Sequence, residues 1–220
     1  QKLQAYKVDG TFLWEADFGL NSVDPDNIYP NAAAISVGQW DGVTVYDLDS
    51  DGYAEVIVKS ANGVSFGDGV TLNYGDNLTQ FISVLDGMTG AEKARIELPN
   101  PWKNDNNYPL GTLFGIGYLD GVRPSLVIHA KNRTGGSGTP FNTINSAWDY
   151  RGGVISQRWS IQWDGNIAPQ ASHSMRIVDI DGDGRDELAC GVFAVDDNGT
   201  LFYDLGDVGV VHGDRFQIGD

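Results

Sequence analysis

Two acidic segments of this chain have the residue spacing of a cation-binding loop. The carboxylates share an alternating order, in which three aspartates at every second position precede a glycine and a glutamate follows: Asp47, Asp49, Asp51, Gly52 and Glu55, then Asp179, Asp181, Asp183, Gly184 and Glu187. Carboxylates this close together repel one another without a cation, and Ca²⁺ accepts about 6 to 8 oxygen ligands in a flexible geometry. We therefore predict a calcium ion in each loop, with the backbone carbonyls of Tyr53 and Arg185 as additional ligands.

These loops differ from an EF-hand. The glutamate comes at the ninth position of each loop instead of the twelfth, and the flanking residues alternate as strands do. Because both loops occur at the same place in a repeat, we expect the calcium ions to be structural first.

Histidine is scarce in this sequence. His173 and His212 each precede a strand that we expect to be the innermost of its repeat, so both are predicted to face one central cleft. An imidazole titrates near neutral pH and could act as a base or a metal ligand, although a hydrogen-bonded structural histidine is the alternative for each. His129 lies inside an apolar strand and is expected to be structural.

Three basic residues follow strands in successive repeats. Lys59 ends a strand after the first acidic loop, and Lys131 with Arg133 ends the corresponding strand in the next repeat, so we expect cations aimed in the same direction. Lys59 and Arg133 are therefore candidates to neutralise an acidic substrate. The alternative, an extended surface charge, is favoured more for Lys131 than for Lys59.

The elements that must position these residues form a repeat. Four segments of alternating apolar residues around an Asp/Asn/Gly turn predict β-hairpins, beginning at Ala5, Val84, Ala147 and Ala194. They alternate with the acidic loops, and Gly117 to Ile128 is a weaker copy that keeps the strands but has lost the acidic loop. Two strands around each loop and two from a hairpin make a four-stranded unit of roughly 40 to 70 residues, as in a propeller blade. A β-sandwich lacks this self-similarity.

The predicted fold is therefore all-β, a β-propeller of four-stranded blades with Asp-x-Asp-x-Asp-Gly calcium loops. The expected divisions are a partial blade at 1–42, blades at 43–98, 111–163 and 173–205, and the start of another blade at 206–220. Since propellers close with roughly 4 to 8 blades, we expect further blades outside this sequence.

Composition restricts the partners. A net charge of −16 argues against nucleic acid as a partner, because Lys and Arg must replace the counterions of its phosphates.

Cys190 is the only cysteine, so no intrachain disulfide can form, and we expect it to be a buried apolar residue. No apolar run is long enough to predict a membrane span. We expect a secreted protein that is monomeric at full length.

Four motifs together resemble the rhamnogalacturonan lyases of polysaccharide lyase family 11, in order over essentially the whole chain. They are Tyr46 to Val56, the Asp-Gly-x-Arg-Pro-Ser-Leu-Val stretch from Asp120, His173-Ser174 leading into the second acidic loop, and His212-Gly213-Asp214. The resemblance implies a calcium-binding propeller that cleaves rhamnose and galacturonate polymers, which are acidic plant polysaccharides, by β-elimination. It also implies that His173 and His212 match active-site histidines.

One segment departs from the family. Residues 31–41 contain no histidine where the bacterial members are expected to carry one. A fungal relative that cleaves rhamnose linked to glucuronate, as in gum arabic side chains, is therefore the alternative lyase. A non-catalytic, integrin-like adhesion or carbohydrate-binding propeller is the alternative from another class, since similar acidic loops occur without enzymatic function.

Overall fold

The computed structural model describes residues 1–19, 42–101, 110–133, 140–165, 173–210, 212–213 and 215–219. These residues form an all-β structure, as predicted, with one short 3-10 helix at Gly206–Val208. In the described residues no helix is long and apolar enough to cross a bilayer.

The described strands form one two-stranded and three four-stranded antiparallel sheets. The first sheet contains β1 (Lys2–Tyr6) and β2 (Phe12–Asp17); the second contains β3 (Val43–Tyr46), β4 (Glu55–Ala61), β5 (Gln80–Asp86) and β6 (Glu92–Glu97); the third contains β7 (Gly111–Gly117), β8 (Ser125–Arg133), β9 (Phe141–Arg151) and β10 (Val154–Trp163); the fourth contains β11 (Arg176–Val178), β12 (Glu187–Ala189), β13 (Phe193–Val195) and β14 (Leu201–Asp204).

Each four-stranded sheet pairs its strands in chain order. The first and second strands are joined by an acidic loop or its weaker copy, and the third and fourth by a hairpin. All four predicted hairpins are present, joining β1 to β2, β5 to β6, β9 to β10 and β13 to β14. The assignment of the sheets to blades of one propeller stays a prediction.

The strands of one sheet differ in how far they are buried. Every residue of β4 is buried, whereas β6 alternates between exposed and partly buried residues along most of its length. A strand covered on both faces needs a nearly continuous run of nonpolar residues, while an outer strand needs them on one face only. The sequences Glu-Val-Ile-Val-Lys-Ser-Ala and Glu-Lys-Ala-Arg-Ile-Glu differ accordingly.

The chain divides into two compact units, residues 1–105 with 153–155, and residues 106–152 with 156–220. The first unit has a core of buried residues from β2, β4, β5 and the segments beside them, with Trp14, Phe18 and Phe81 among them. The second has a core around Trp159 and Phe193, which includes the buried Cys190 that the sequence predicted.

A tryptophan docks one sheet onto the hairpin of the next in each unit. Trp14 of β2 donates its indole N–H to the Gly87 carbonyl at 2.9 Å, in the β5–β6 turn. Trp159 of β10 donates in the same way to the Asp197 carbonyl at 2.8 Å, in the β13–β14 turn. A side chain on Gly90 or Gly199 would lie within 3 Å of the indole ring, so these turns require glycine.

Candidate functional site

The first acidic loop brings three carboxylates together. One oxygen from each of Asp47, Asp49 and Glu55 lies within 4.8 Å of the others. Glu55 is the first residue of β4 and pairs with Tyr46, the last residue of β3, so the end of the strand pair places it beneath the loop. The Leu48 N–H donates to Glu55 Oε2 at 2.9 Å and holds the carboxylate there.

The loop folds around its first aspartate. Asp47 accepts hydrogen bonds from the N–H groups of Asp51 and Gly52, both at 2.9 Å. Gly52 has φ of +92°, a conformation that side chains with a Cβ rarely adopt. The spacing of the motif thus follows from the turn as well as from the cation.

The second acidic loop repeats this architecture. Oxygens of Asp179, Asp181 and Glu187 lie within 4.8 Å of one another. Asp179 accepts hydrogen bonds from the N–H groups of Gly182 and Gly184, at 2.7 and 3.0 Å. Glu187 begins β12, as Glu55 begins β4.

The second glutamate is also held by a backbone donor. Glu187 Oε2 accepts a hydrogen bond from the Ile180 N–H at 2.6 Å, as Glu55 does from Leu48. The two loops therefore share both their carboxylate triads and the backbone contacts that position them.

Each triad contains a buried oxygen without a hydrogen-bond partner, namely Asp49 Oδ1 and Glu187 Oε1. Leaving such an acceptor unpaired is costly, and a hard cation would satisfy it. Burial, with the nearby Asp181 and Asp179 carboxylates, raises the pKa of Glu187 to about 7. The residues present therefore fit an oxygen-binding metal ion.

The third aspartate of each loop lies outside these triads. Asp51 Oδ1 accepts the Tyr53 N–H at 2.8 Å, and Asp183 Oδ1 accepts the Arg185 N–H at 2.9 Å. Ligation by these two aspartates and by the carbonyls of Tyr53 and Arg185 stays a prediction.

A third acidic group was not expected from the sequence. Oxygens of Glu187, Asp196 and Asp197 also lie within 4.8 Å of one another. The pairing of Leu188 with Val195 places Glu187 opposite Asp196. The acidic pair at the start of the β13–β14 turn is the feature of the sequence from which this group could have been predicted. Arg185 Nη1 donates to Asp197 Oδ2 at 3.0 Å, so this group already contains a cation.

The two candidate histidines lie side by side. The ring centroids of His173 and His212 are 5.0 Å apart, and the rings are nearly perpendicular. The His173 N–H donates to the Gly213 carbonyl at 3.2 Å, which ties the two segments together. Both histidines are exposed. The structure therefore brings this pair together, and its catalytic role stays a prediction.

The candidate cations are less uniform than expected. Lys59 is only 1% exposed, in the interior of β4. Lys131 lies over the Phe141 ring at 4.8 Å, and the side chain of Arg133 lies outside the described residues. Counted from the first residue of the second strand, Lys59 corresponds to His129 rather than to Lys131 or Arg133. These cations therefore occupy different register positions, and the role of Lys59 and Arg133 in neutralising a substrate stays a prediction.

His129 has the surroundings of a structural residue. It is 1% exposed, and its Nδ1 lies 2.8 Å from Asn145 Oδ1 on the neighbouring strand. Burial lowers the pKa of its imidazole to about 4, so the ring is neutral at physiological pH. These contacts support the structural role expected of it.

The described residues thus define an all-β protein of repeated sheets, with acidic loops suited to a metal ion and an exposed histidine pair. The chain belongs to rhamnogalacturonan lyase family 11, since the model of that family's C-terminal domain matches residues 1–220. The family resemblance predicted from the sequence is therefore confirmed.

Two characterised relatives come from Bacillus subtilis strain 168. The chain is 34% identical over 245 residues to the rhamnogalacturonan exolyase YesX and 32% identical over 241 residues to the rhamnogalacturonan endolyase YesW. Each alignment covers 99% of this chain but only 36% and 35% of the relatives. The chain therefore spans about a third of the length of these proteins.

Solved structures show the same similarity in three dimensions. The crystal structure of YesW matches with a TM-score of 0.74 and 32% identity, and covers 97% of this chain. A Bacillus licheniformis rhamnogalacturonan lyase matches with a TM-score of 0.75 and 30% identity, also over 97% of this chain. The chain covers 37% of each of these structures.

Proposed function

We propose that this chain is part of a lyase that cleaves rhamnogalacturonan by β-elimination. The observation that carries the proposal is the family match over residues 1–220. The two Bacillus subtilis relatives are named as rhamnogalacturonan lyases, which favours this substrate over rhamnose linked to glucuronate. Segment 31–41, on which the alternative depended, lies outside the described residues.

β-Elimination at a uronate needs a positive group beside the C6 carboxylate, a base for the C5 proton and an acid for the leaving oxygen. His173 and His212 are exposed and adjacent, so substrate could reach both. A neutral imidazole in this pair would take the C5 proton, and its neighbour would orient it or protonate the leaving oxygen. Lys59 and Arg133 remain the proposed cationic groups of the chain.

We assign calcium to the loops Asp47–Glu55 and Asp179–Glu187. The buried, unpartnered oxygens of Asp49 and Glu187 support a cation at both places. Carboxylate and carbonyl oxygens suit calcium, which tolerates irregular coordination better than magnesium does. Calcium would supply charge balance for the loops, and any ion held near the substrate would offset its carboxylate.

We further propose that the four sheets are consecutive blades of a propeller. The two tryptophan contacts support this, because each joins the last strand of one sheet to the hairpin of the next. The assembled protein would be a secreted monomer acting on an acidic plant polysaccharide. Since the chain is strongly acidic, such a substrate must be bound through local cations.

The full-length protein with His173→Ala or His212→Ala tests the catalytic assignment. Rhamnogalacturonan is added, and the ultraviolet absorbance of the unsaturated uronate product is followed. We expect each variant to lose about 10²-fold or more in rate while keeping its melting temperature. His129→Gln is the matched control, since His129 is buried and bonded to Asn145.

Wild-type rates in both variants would contradict the role of the histidine pair. Polysaccharide binding with no unsaturated product from the wild-type protein would instead support the adhesion alternative. Product lengths in the same reaction distinguish endo from exo cleavage.

A further inference from the structure

The β7–β10 sheet has the loop of the other sheets without its acidic triad. Among loop residues 118–124, Asp120 is the single carboxylate. It is the third residue after the first strand of the sheet, as Asp49 and Asp181 are in theirs. The position that begins the second strand, a glutamate in the other two sheets, is Ser125 here.

An arginine occupies the vicinity of this remaining aspartate. Arg158 of β10 places Nη2 at 3.7 Å from Asp120 Oδ2 and 3.2 Å from Asp149 Oδ2. Arg123 and Arg151 add guanidinium contacts to the same two carboxylates, at 3.0 and 3.4 Å. Three positive charges against two negative ones leave no electrostatic reason for a metal ion to bind.

A lysine on the corresponding strand of its own sheet reaches the first acidic loop. Lys93 lies on β6, the fourth strand of its sheet, as Arg158 lies on β10. Its Nζ lies 2.7 Å from Glu55 Oε1 and 3.9 Å from Asp49 Oδ2. Lys93 and Arg158 therefore both contact the aspartate at the third loop position.

The β11–β14 sheet lacks such a residue. Its fourth strand has the sequence Leu-Phe-Tyr-Asp, with no basic residue. Glu187 Oε1, the second oxygen of the glutamate that begins β12, correspondingly has no partner, whereas Glu55 is bonded to Lys93 through Oε1. The loop differs from the first in the counter-charge that reaches its glutamate.

We infer that a basic side chain on the fourth strand substitutes for the metal ion. Arg158 replaces the ion in the β7–β10 sheet, Lys93 competes with it in the β3–β6 sheet, and the loop at 179–187 depends on the ion. The inference rests on the calcium proposal above, while the contribution of Arg158 to the stability of its own sheet can be measured with or without the ion. It predicts that calcium binds loop 179–187 more tightly than loop 47–55.

Calcium titration of the full-length protein by calorimetry tests Lys93. Asp47→Asn and Asp179→Asn identify the binding step of each loop by removing it. Binding at loop 47–55 is expected to be the weaker step. Lys93→Met should tighten that weaker step by about tenfold, because a positive charge leaves the immediate vicinity of the ligands. Arg95→Met is the matched control, since Arg95 is also on β6 but pairs with Glu92.

Thermal melting tests Arg158 in calcium and in chelator. Arg158→Met should lower the melting temperature equally in both conditions, more than Arg95→Met does, and Arg158→Lys should restore part of the loss. A loss no larger than that of the control would overturn the inference for this sheet.

The outcomes separate the inference from the calcium proposal. If neither Asp47→Asn nor Asp179→Asn removes a binding step, the calcium assignment fails, and the inference about Lys93 fails with it. If both steps exist but Lys93→Met leaves the weaker one unchanged, only the inference about Lys93 fails. The melting result for Arg158 decides its part in either case.

Discussion

The loops at 47–55 and 179–187 have the same spacing and the same backbone hydrogen bond to their glutamates, but different charges around them. In the first, Lys93 contacts Glu55 from a strand 38 residues away. In the second, the contacting cation is Arg185, and it pairs with Asp197 instead of with Glu187. A shared motif therefore specifies the turn, while residues distant in the sequence decide how much a metal ion is needed there.

The largest effect is expected from Glu55→Gln. This change leaves the Lys93 ammonium beside a neutral amide and weakens the Leu48 hydrogen bond, so we expect a loss of about 1–3 kcal/mol of unfolding free energy even in chelator. Denaturant unfolding of the full-length protein measures it. Glu97→Gln on the same sheet is the control, since Glu97 is exposed. An equal loss in both variants would show that the contact between Glu55 and Lys93 does not stabilise this loop.

Glu187→Gln should behave differently in the two metal conditions. In chelator the change removes a buried charge that faces Asp179 and Asp181, so unfolding free energy is expected to stay the same or rise. With calcium the change removes a ligand, so stability is expected to fall. The melting temperature of Glu187→Gln should therefore fall in calcium but not in chelator, and a fall of equal size in both would contradict the comparison.

The smallest effect concerns pH. Glu187 titrates near 7 in the metal-free fold, above its ordinary value of 4.5. Because the fold holds the proton on Glu187 more tightly than the unfolded chain does, protonation of Glu187 stabilises the metal-free fold. This stabilisation is fully present below about pH 4.5 and lost as pH rises through 7. Since protons compete with calcium for this carboxylate, the rise in melting temperature on adding calcium should be smaller at about pH 6 than at about pH 8.

Another group titrates in an overlapping range with the opposite sign. His129 has its pKa lowered from 6.5 to about 4, so its contribution is present above 6.5 and lost as pH falls toward 4. It acts with and without calcium and cancels in the difference between the two conditions. A calcium effect of equal size at both pH values, or one that persists unchanged in Glu187→Gln, would argue against Glu187 as the competing group.

Local patterns predicted much of this molecule. The hairpins followed from alternating residues around Asp/Asn/Gly turns, and the acidic triads followed from the spacing of their loops. Even there, the loops use their first and second aspartates in the triads, while Asp51 and Asp183 accept hydrogen bonds from their own turns. Spacing identified the carboxylates but not the direction of each one.

Contacts between distant segments could not be predicted in this way. The reach of Lys93 and Arg158 to the loops depends on strand register across a whole sheet. The register of Lys59 could not be predicted for the same reason, because the sequence does not show which residues correspond in strands of unequal length. Counting from the residue that begins the second strand, where pairing holds the register, relates Lys59 to His129.

The tryptophan contacts have a consequence for how the chain folds. The indole of Trp14 and its carbonyl partner are 73 residues apart, and those of Trp159 are 38 apart, so each closes over one neighbouring sheet rather than over the whole chain. Contacts of limited sequence separation cost little loop-closure entropy, and they let a finished sheet act as the template for the next. Each of these two pairs of neighbouring sheets can therefore fold as one unit. A side chain at Gly90 or Gly199 would clash with the indole and prevent the contact between the two sheets that it joins.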